Sequence, residues 1–306
     1  MAFNAHGARE QLVTRLKVGS ALIRRTIEFF QDEHFIQLLP VMLGRSTDPL
    51  GPDPGSSIMK TPEVDYLGTR LYTMNSMILH KQCAVRDLDR IFILSPNIRL
   101  ERAERQATGK HLFEFTQLDF EWALARQEDV VRLVERYFLS LNGHASDFLP
   151  LLEELGVPGF EFRPPFRVYT THDLESQFGT DWEFAASQAH EQPFWALCHR
   201  REFYDREDPS DPGHFLNYDL IYPEGFGEAL SGAEREFDLG RLRTRMGRDK
   251  LDNEAYRAYL SEAAEGFVPS AGAGFGIERL VRFLTRAPHV GDVQLFKRVP
   301  GIEVSI

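Results

Sequence analysis

The sequence predicts an α+β fold, a mainly antiparallel sheet flanked by helices, formed by one domain over residues 1–306. Three observations carry this. A long amphipathic helix opens the chain, short strand-like runs then alternate with helical ones, and the connections between them are long and local. No internal repeat or low-complexity stretch interrupts the pattern.

Residues 7–33 place Leu12, Leu16, Val18, Leu22, Ile23, Ile27 and Phe30 at helical spacing. A strand, Phe35–Leu39, follows and stops at Pro40. Residues 41–63 are rich in Gly, Pro, Ser and Asp and predict a loop, long enough to be functional or disordered. Strands are predicted at Arg70–Met74 and Arg90–Leu94, with a helix over 76–87 between them. A longer alternating strand spans His111–Trp122, followed by a helix over 127–142. Residues 143–190 predict small helices and loops, an insertion on the edge of the core. Strands return at Phe194–Leu197, Asn217–Ile221 and Gly225–Ser231, and helices at 234–246, 253–263 and 275–286.

Composition narrows the function. The hydrophobic share is 42% and the charged share 26%, enough apolar material for a core. No apolar run reaches the length of a membrane span, and no basic segment feeds an apolar stretch at the N-terminus. Two cysteines, Cys83 and Cys198, build neither a disulfide framework nor a zinc site, so a reducing cytoplasm is expected. The net charge of -11 disfavours nucleic acid as the main partner, since phosphate backbones are held by clustered Lys and Arg. The basic cluster Arg241, Arg243, Arg245, Arg248 and Lys250 predicts a solvated helix end.

Two arginines stand in polar frames far apart in sequence. Arg99 lies in Ser95-Pro96-Asn97-Ile98-Arg99-Leu100-Glu101, ahead of Lys110-His111-Leu112-Phe113-Glu114-Phe115-Thr116-Gln117-Leu118-Asp119. Arg279 lies in Gly272-Ala273-Gly274-Phe275-Gly276-Ile277-Glu278-Arg279. A guanidinium presents a fork that matches carboxylate or phosphate oxygens and stays charged when partly buried. Phe115 offers a flat face for a purine, and Glu101 can take an exocyclic amine or orient Arg99. A surface hairpin closed by an Arg99–Glu101 ion pair would use the same residues. The three glycines fail the dinucleotide fingerprint, because position 277 is Ile.

These frames resemble motifs 2 and 3 of the class II aminoacyl-tRNA synthetases, in the aspartyl/asparaginyl branch. The helix, strand and Pro40 at the start resemble motif 1, which implies a homodimer. Glu228-Ala229-Leu230-Ser231-Gly232-Ala233-Glu234-Arg235 resembles the branch's glutamate, serine-glycine, arginine motif, and Ser76 with Lys81 match its serine and lysine. Within the branch the chain resembles the stand-alone asparagine synthetases related to asparaginyl-tRNA synthetase. Leu38–Leu43, Thr47-Asp48-Pro49, Ser76–Gln82, Leu94–Glu101, Arg201–Glu207 and Pro269–Phe283 carry that likeness.

The resemblance implies a chemistry and a set of roles. L-aspartate, ATP and ammonia would give L-asparagine, AMP and diphosphate through β-aspartyl-adenylate. Arg99, Glu101, Lys110, His111, Leu112, Phe115, Glu228, Ser231, Gly276 and Arg279 would bind ATP, with Mg²⁺ on Glu228 and Ser231, which are hard oxygen ligands. Ser76, Lys81, Gln117, Tyr204, Asp219, Gly232 and Arg235 would bind the amino acid. Arg99, Lys81 and Arg235 are the expected catalytic residues, with Lys81 and Arg235 clamping the α-carboxylate. Glu202, Asp205 and Asp219 each could deprotonate ammonium, and the sequence does not choose among them.

The chain also departs from the tRNA enzymes. Met77 and Ile78 replace a Pro-Gln pair whose glutamine helps hold the α-ammonium. Lys110 stands for an arginine, and Leu295 and Lys297 for two prolines. The β-barrel anticodon-binding domain of the tRNA enzymes is not expected before the first helix, nor is a glutaminase nucleophile, since residue 2 is Ala. Asparagine synthesis leads. A ligase joining an aspartate-like acid to another amine and a non-catalytic paralogue are the alternatives, and tRNA charging ranks last.

Overall fold

The computed structural model describes residues 2–50, 58–252 and 254–304, with side chains from Gly7 onward. Helix α1 (Ala2–Asp32) runs longer than the apolar periodicity indicates. Its buried positions include Val18, Leu22 and Phe30, and Phe30 packs within 5.5 Å of the rings of Phe35, Phe92 and Phe120. After it come β1 (Ile36–Gln37), β2 (Leu43–Gly44), β3 (Ile58–Lys60), β4 (Glu63–Tyr66) and β5 (Thr69–Thr73). The predicted loop over 41–63 therefore contains two short strands and the start of a third; its Gly51–Ser57 portion lies outside the described residues.

The chain continues through α2 (Ile78–Ala84), β6 (Arg90–Ile98), β7 (Leu100–Glu101), β8 (Glu114–Ala123), α3 (Gln127–Gly143), α4 (Leu149–Glu154) and β9 (Arg167–Thr170). Next are α5 (Thr171–Phe178), α6 (Trp182–Ala189), β10 (Phe194–Leu197), β11 (Asn217–Tyr222) and β12 (Gly227–Glu234). The last elements are α7 (Leu239–Arg248), α8 (Arg257–Gly266), β13 (Ser270–Gly276) and α9 (Ile277–Leu284). Residues 143–190 do more than expected: besides small helices they supply β9, which pairs in parallel with β10 and ends the main sheet.

Among the described residues the main sheet has eight strands in the order β1-β6-β8-β13-β12-β11-β10-β9. Only its two outer pairings, β1 with β6 and β10 with β9, are parallel, so the sheet is mainly antiparallel as expected. Helices α1, α3 and α9 cover one face, where Phe92, Phe120, Tyr137, Phe138, Tyr218 and Phe275 form the large core. A smaller cluster of Phe203, Tyr204, Met246, Tyr256 and Tyr259 joins α2, α7 and α8 elsewhere.

The period-two alternation of the strands sorts chemistry between the faces. In β8, Leu118 and Phe120 enter the core, leaving Gln117, Asp119 and Glu121 on the other face. Across the ladder, Gly276, Gly274 and Gly272 of β13 sit opposite those three polar residues. Gly272 and Gly274 are required there. A Cβ on Gly272 would come within 2.3 Å of Glu121 Oε2, and one on Gly274 within 2.3 Å of Gln117 Nε2. The demand for them comes from β8, through the Phe120 carbonyl and the side chains of Glu121 and Gln117.

The basic helix end is also only partly solvated. Arg245 is 5% exposed, lies 3.5 Å from both Glu207 and Glu236, and is held by carboxylates rather than by water.

Candidate active site

The polar face of the sheet opens into two connected cavities. The outer one, of about 460 Å³, gathers Arg99, Glu101, Lys110, His111, Leu112, Phe115, Glu228, Gly276 and Arg279, the residues assigned to ATP apart from Ser231. The inner one, of about 110 Å³, gathers Ser76, Lys81, Tyr204, Ser231, Gly232 and Arg235. Arg99, Gln117 and Glu228 line both, and Asp219 lines the outer one. Every sequence-predicted site residue thus lies on one cleft.

Arg99 leaves the end of β6 and donates from Nε to the Asn75 carbonyl at 3.1 Å, with its guanidinium 5.2 Å from the Phe115 ring centroid. Fixed at both ends, it hangs over the junction of the cavities. Arg279, on the first turn of α9, donates to the carbonyls of Lys110 and Glu228 and stands 3.3 Å from the Glu228 carboxylate. The surface-hairpin alternative, an Arg99–Glu101 pair, is not the arrangement found; Glu101 stands 4.0 Å from Arg105 instead.

Glu228 and Ser231 face the same cleft although three positions separate them on a strand. A β-bulge makes this possible. The register with β11 shifts between Leu220 and Ile221, whose partners are Leu230 and Glu228, so Ala229 is the extra residue. Burial alone would raise the Glu228 carboxyl, but Arg279, Arg201, Lys110 and Arg99 outweigh it and pull it down to about 2. His111 is pushed to about 3 by burial and by Arg279, Arg105 and Lys110, which leaves a neutral imidazole at pH 7.

Buried charge fills the inner cavity. Arg235 is 4% exposed; its Nε donates to Glu121 Oε1 at 3.0 Å, Nη1 to Asp205 at 3.3 Å and Nη2 to the Gly272 carbonyl at 3.0 Å. Lys81, 2% exposed, donates to Asp119 Oδ1 at 2.9 Å and to the carbonyls of Phe120 and Ala273. The expected Lys81–Arg235 clamp is narrowed by this geometry. Three ammonium donors meet three protein oxygens, so Lys81 holds Asp119 in place rather than presenting a spare N–H.

Several site residues carry no role in the sequence reading. Arg201 donates to Ser231 Oγ and to Asp219 Oδ2, tying two assigned residues together. Glu183 of α6 accepts from Lys110 Nζ at 2.6 Å across the outer rim. Glu278 accepts from the Thr116 amide, locking α9 to β8, and burial raises its carboxyl to about 7. None of these has a local signal, because each partner lies at least 30, and in two cases over 70, residues away or, for Asp219, is a lone acid within a strand.

Glu202, Asp48 and Asp205 of the inner cavity, and Asp219 of the outer one, move opposite to Glu228. Glu202 rises to about 8, by burial first and then by the charges of Asp48 and Asp205. Asp219 rises to about 7, by burial only partly offset by Arg201. Asp48 and Asp205 are also raised by burial. His199 lies 3.4 Å from Asp219, yet burial and Arg201 push it to about 3 and keep it neutral.

Residues 5–300 match the family described as tRNA synthetases class II (D, K and N). The chain belongs to the class II tRNA synthetases. Asparagine–tRNA ligase of Thermococcus gammatolerans is 27% identical over 316 residues, covering 97% of this chain and 71% of the relative. That of Pyrococcus abyssi is 27% identical over 306 residues, covering 94% and 68%. The asparaginyl-tRNA synthetase of Pyrococcus horikoshii in complex with asparaginyl-adenylate superposes with a TM-score of 0.82 at 25% identity, over 96% of this chain and 70% of that one. The aspartyl-tRNA synthetase of Entamoeba histolytica shares the fold, with a TM-score of 0.76 at 22% identity. The eight-stranded sheet is therefore the class II catalytic core, and the relatives are ligases. Among the described residues no helix is long and apolar enough to cross a membrane.

Proposed function

We propose that the chain is an AMP-forming aspartate–ammonia ligase, converting L-aspartate, ATP and ammonia into L-asparagine, AMP and diphosphate through β-aspartyl-adenylate. The observation that carries this reading is the position of Arg99 on the shared wall of two unlike cavities. An adenylate forms where a carboxylate oxygen meets an α-phosphorus, and both reactants then need one cation between them.

ATP suits the outer cavity. Phe115 gives the base a flat face, Arg279 and Lys110 meet the phosphates, and neutral His111 adds no charge to be desolvated. Glu228 remains ionised and Ser231 adds a hydroxyl, a hard-oxygen set that suits Mg²⁺ held partly by phosphate oxygens and water. Bound there, Mg²⁺ would offset triphosphate charge.

Aspartate suits the inner cavity with its β-carboxylate toward Arg99 and its α-carboxylate toward Arg235. The Arg235–Asp205 contact, at 3.3 Å, is long for a charged hydrogen bond and is the one a substrate carboxylate would replace. Ile78 is 4% exposed and lines this cavity, offering nothing to the α-ammonium where the tRNA enzymes place glutamine. Turning aspartate end for end removes the need for that glutamine. Exposed Ile36, Leu39, Met42 and Leu43 at the β1–β2 edge fit a homodimer contact.

The test is to incubate protein with ATP, Mg²⁺ and L-aspartate, with and without ammonium, and follow AMP and amino acids by mass spectrometry. Ammonium-dependent asparagine with equal AMP is expected. Absence of aspartate-dependent diphosphate exchange, or transfer of aspartate or asparagine to tRNA, would overturn the reading.

A further inference from the structure

Turned end for end, aspartate cannot hand its α-ammonium to Ile78, which is apolar and lines the inner cavity. An ammonium carries three N–H donors and is costly to bury unless oxygens receive them. Asp119 offers such an oxygen. It lies on the polar face of β8, is 1% exposed and lines the inner cavity. Its Oδ1 accepts from Lys81 Nζ at 2.9 Å, whereas its Oδ2 has no hydrogen-bond partner among the described residues. Among the described residues that line this cavity, no other buried side-chain oxygen or nitrogen is left so. A buried carboxylate oxygen without a donor is rare and calls for one. Lys81 has none to spare, since its N–H groups are divided among Asp119 Oδ1 and the carbonyls of Phe120 and Ala273.

The surroundings of Asp119 leave room for a ligand and favour one that brings both signs of charge. Gly274 faces Asp119 across the β8–β13 ladder and lines the same cavity. A Cβ there would stand 3.0 Å from Asp119 Oδ1, so the missing side chain keeps space beside the carboxylate. Lys81 Nζ also stands 3.9 Å from Glu121 Oε2, and Arg235 bonds Glu121 and Asp205. An α-carboxylate arriving alone on Arg235 would add a negative charge to this buried network. Arriving with its ammonium it adds none, which avoids the cost of burying an unanswered charge.

Resting on the ligase reading and on that orientation of aspartate, we infer that Asp119 Oδ2 receives the α-ammonium of the amino acid. Asp119 is then the residue that selects α-amino dicarboxylic acids over plain dicarboxylates. With the α-carboxylate on Arg235 and the α-ammonium on Asp119, the β-carboxylate is left to face Arg99. Two charged contacts at the α end thus decide which carboxylate meets the phosphate. Lys81 serves this arrangement by holding the other oxygen of Asp119, and Asp119 binds the substrate without exchanging a proton with it.

The test measures, by titration calorimetry, how wild type and Asp119→Asn bind L-aspartate and succinate, which is aspartate without its amine. Mg²⁺ and α,β-methylene-ATP are present throughout, so that the nucleotide site is filled and no adenylate forms. Asp119→Asn keeps a side-chain oxygen for Lys81 and loses the charge that faces the ammonium. Wild type should bind aspartate about 10–10²-fold more tightly than succinate, the range for hydrogen bonds to charged groups. In Asp119→Asn the gap should close to within a few-fold, chiefly because aspartate binds more weakly. Equal weakening of both acids, with the gap intact, would make Asp119 a support for Lys81 alone and overturn the inference. Equal affinities in wild type would mean that water meets Oδ2, and would overturn it as well. If the variant does not fold, a crystal structure of wild type with L-aspartate decides. An α-nitrogen farther than about 3.5 Å from Asp119 Oδ2 overturns the inference, and one within that distance upholds it. Wild type that binds neither acid would refute the ligase reading itself, and this inference with it.

Discussion

Glu228 and Glu202 are the same chemical group at the two ends of one cleft, and they are driven in opposite directions. Glu228, a third exposed, is drawn down to about 2 by the cations that await a polyanion. Glu202, 6% exposed, is driven up to about 8 by burial and then by the charges of Asp48 and Asp205. Burial raises both; cations reverse it at Glu228, and neighbouring carboxylates add to it at Glu202. The outer end is thus a rim of cations, and the inner end a buried nest in which carboxylates and cations interlock.

The two ends also differ in what holds them. Arg235 is enclosed by Glu121, Asp205 and the Gly272 carbonyl, so Arg235→Ala would strand two buried carboxylates. A loss of roughly 3–5 kcal/mol in stability is expected, with diphosphate exchange abolished, measured by urea unfolding beside the exchange assay. Arg279 is 24% exposed and borders open space. Arg279→Ala should leave the unfolding midpoint nearly unchanged while exchange falls by about 10²–10³-fold, as when one transition-state donor is removed. If the two variants behaved alike, the contrast between a structural interior and a functional rim would be broken.

That contrast explains what is legible in the sequence. Alternating residues in β8 and glycines in β13 announce a polar face and a glycine stripe, and Arg99, Glu228, Arg235 and Arg279 stand in local frames that can be read directly. Strand ends differ from expectation mainly where tertiary pairing extends them, as in β6, which runs on to Ile98 through Pro96. The bulge at Ala229 and the ties Arg201–Asp219 and Lys110–Glu183 have no local pattern. In sequence Glu202 resembles any solvated acid, because what sets it apart is burial, to which Asp48, more than one hundred and fifty residues away, adds its charge.

The opposed carboxyls predict opposed pH dependence in the ligand-free protein. Glu202 binds its proton more tightly folded than unfolded, so its contribution is fully present below about 4.5 and is lost as pH rises through about 8. Asp219 acts in the same direction up to about 7. Glu228 contributes above about 4.5 and loses that contribution only as pH falls toward 2. Glu202→Gln should therefore match wild type at pH 5 and exceed it at pH 8.5, by on the order of 1–3 kcal/mol, since each tenfold change in proton affinity is worth about 1.4 kcal/mol. Denaturation midpoints at those two pH values check it. A variant equally stable relative to wild type at both would show that the nest does not hold Glu202 protonated.

The smallest effect is expected at the rim, where Glu183 takes up Lys110 at 2.6 Å and also accepts from the Glu228 amide at 3.3 Å. Both side chains are partly exposed, 36% for Glu183 and 28% for Lys110, so the pair adds little to stability and is screened by salt. A triphosphate entering the outer cavity must compete with Glu183 for Lys110. Glu183→Gln should change stability by no more than about 0.5 kcal/mol, as surface substitutions usually do. It should nevertheless lower the KM for ATP a few-fold at low ionic strength, with the advantage shrinking as salt is raised, because freed Lys110 adds an unpaired cation to the rim. A KM that rises instead would mean that Glu183 positions Lys110 for the phosphates rather than competing for it. The rim would then be as preorganised as the nest.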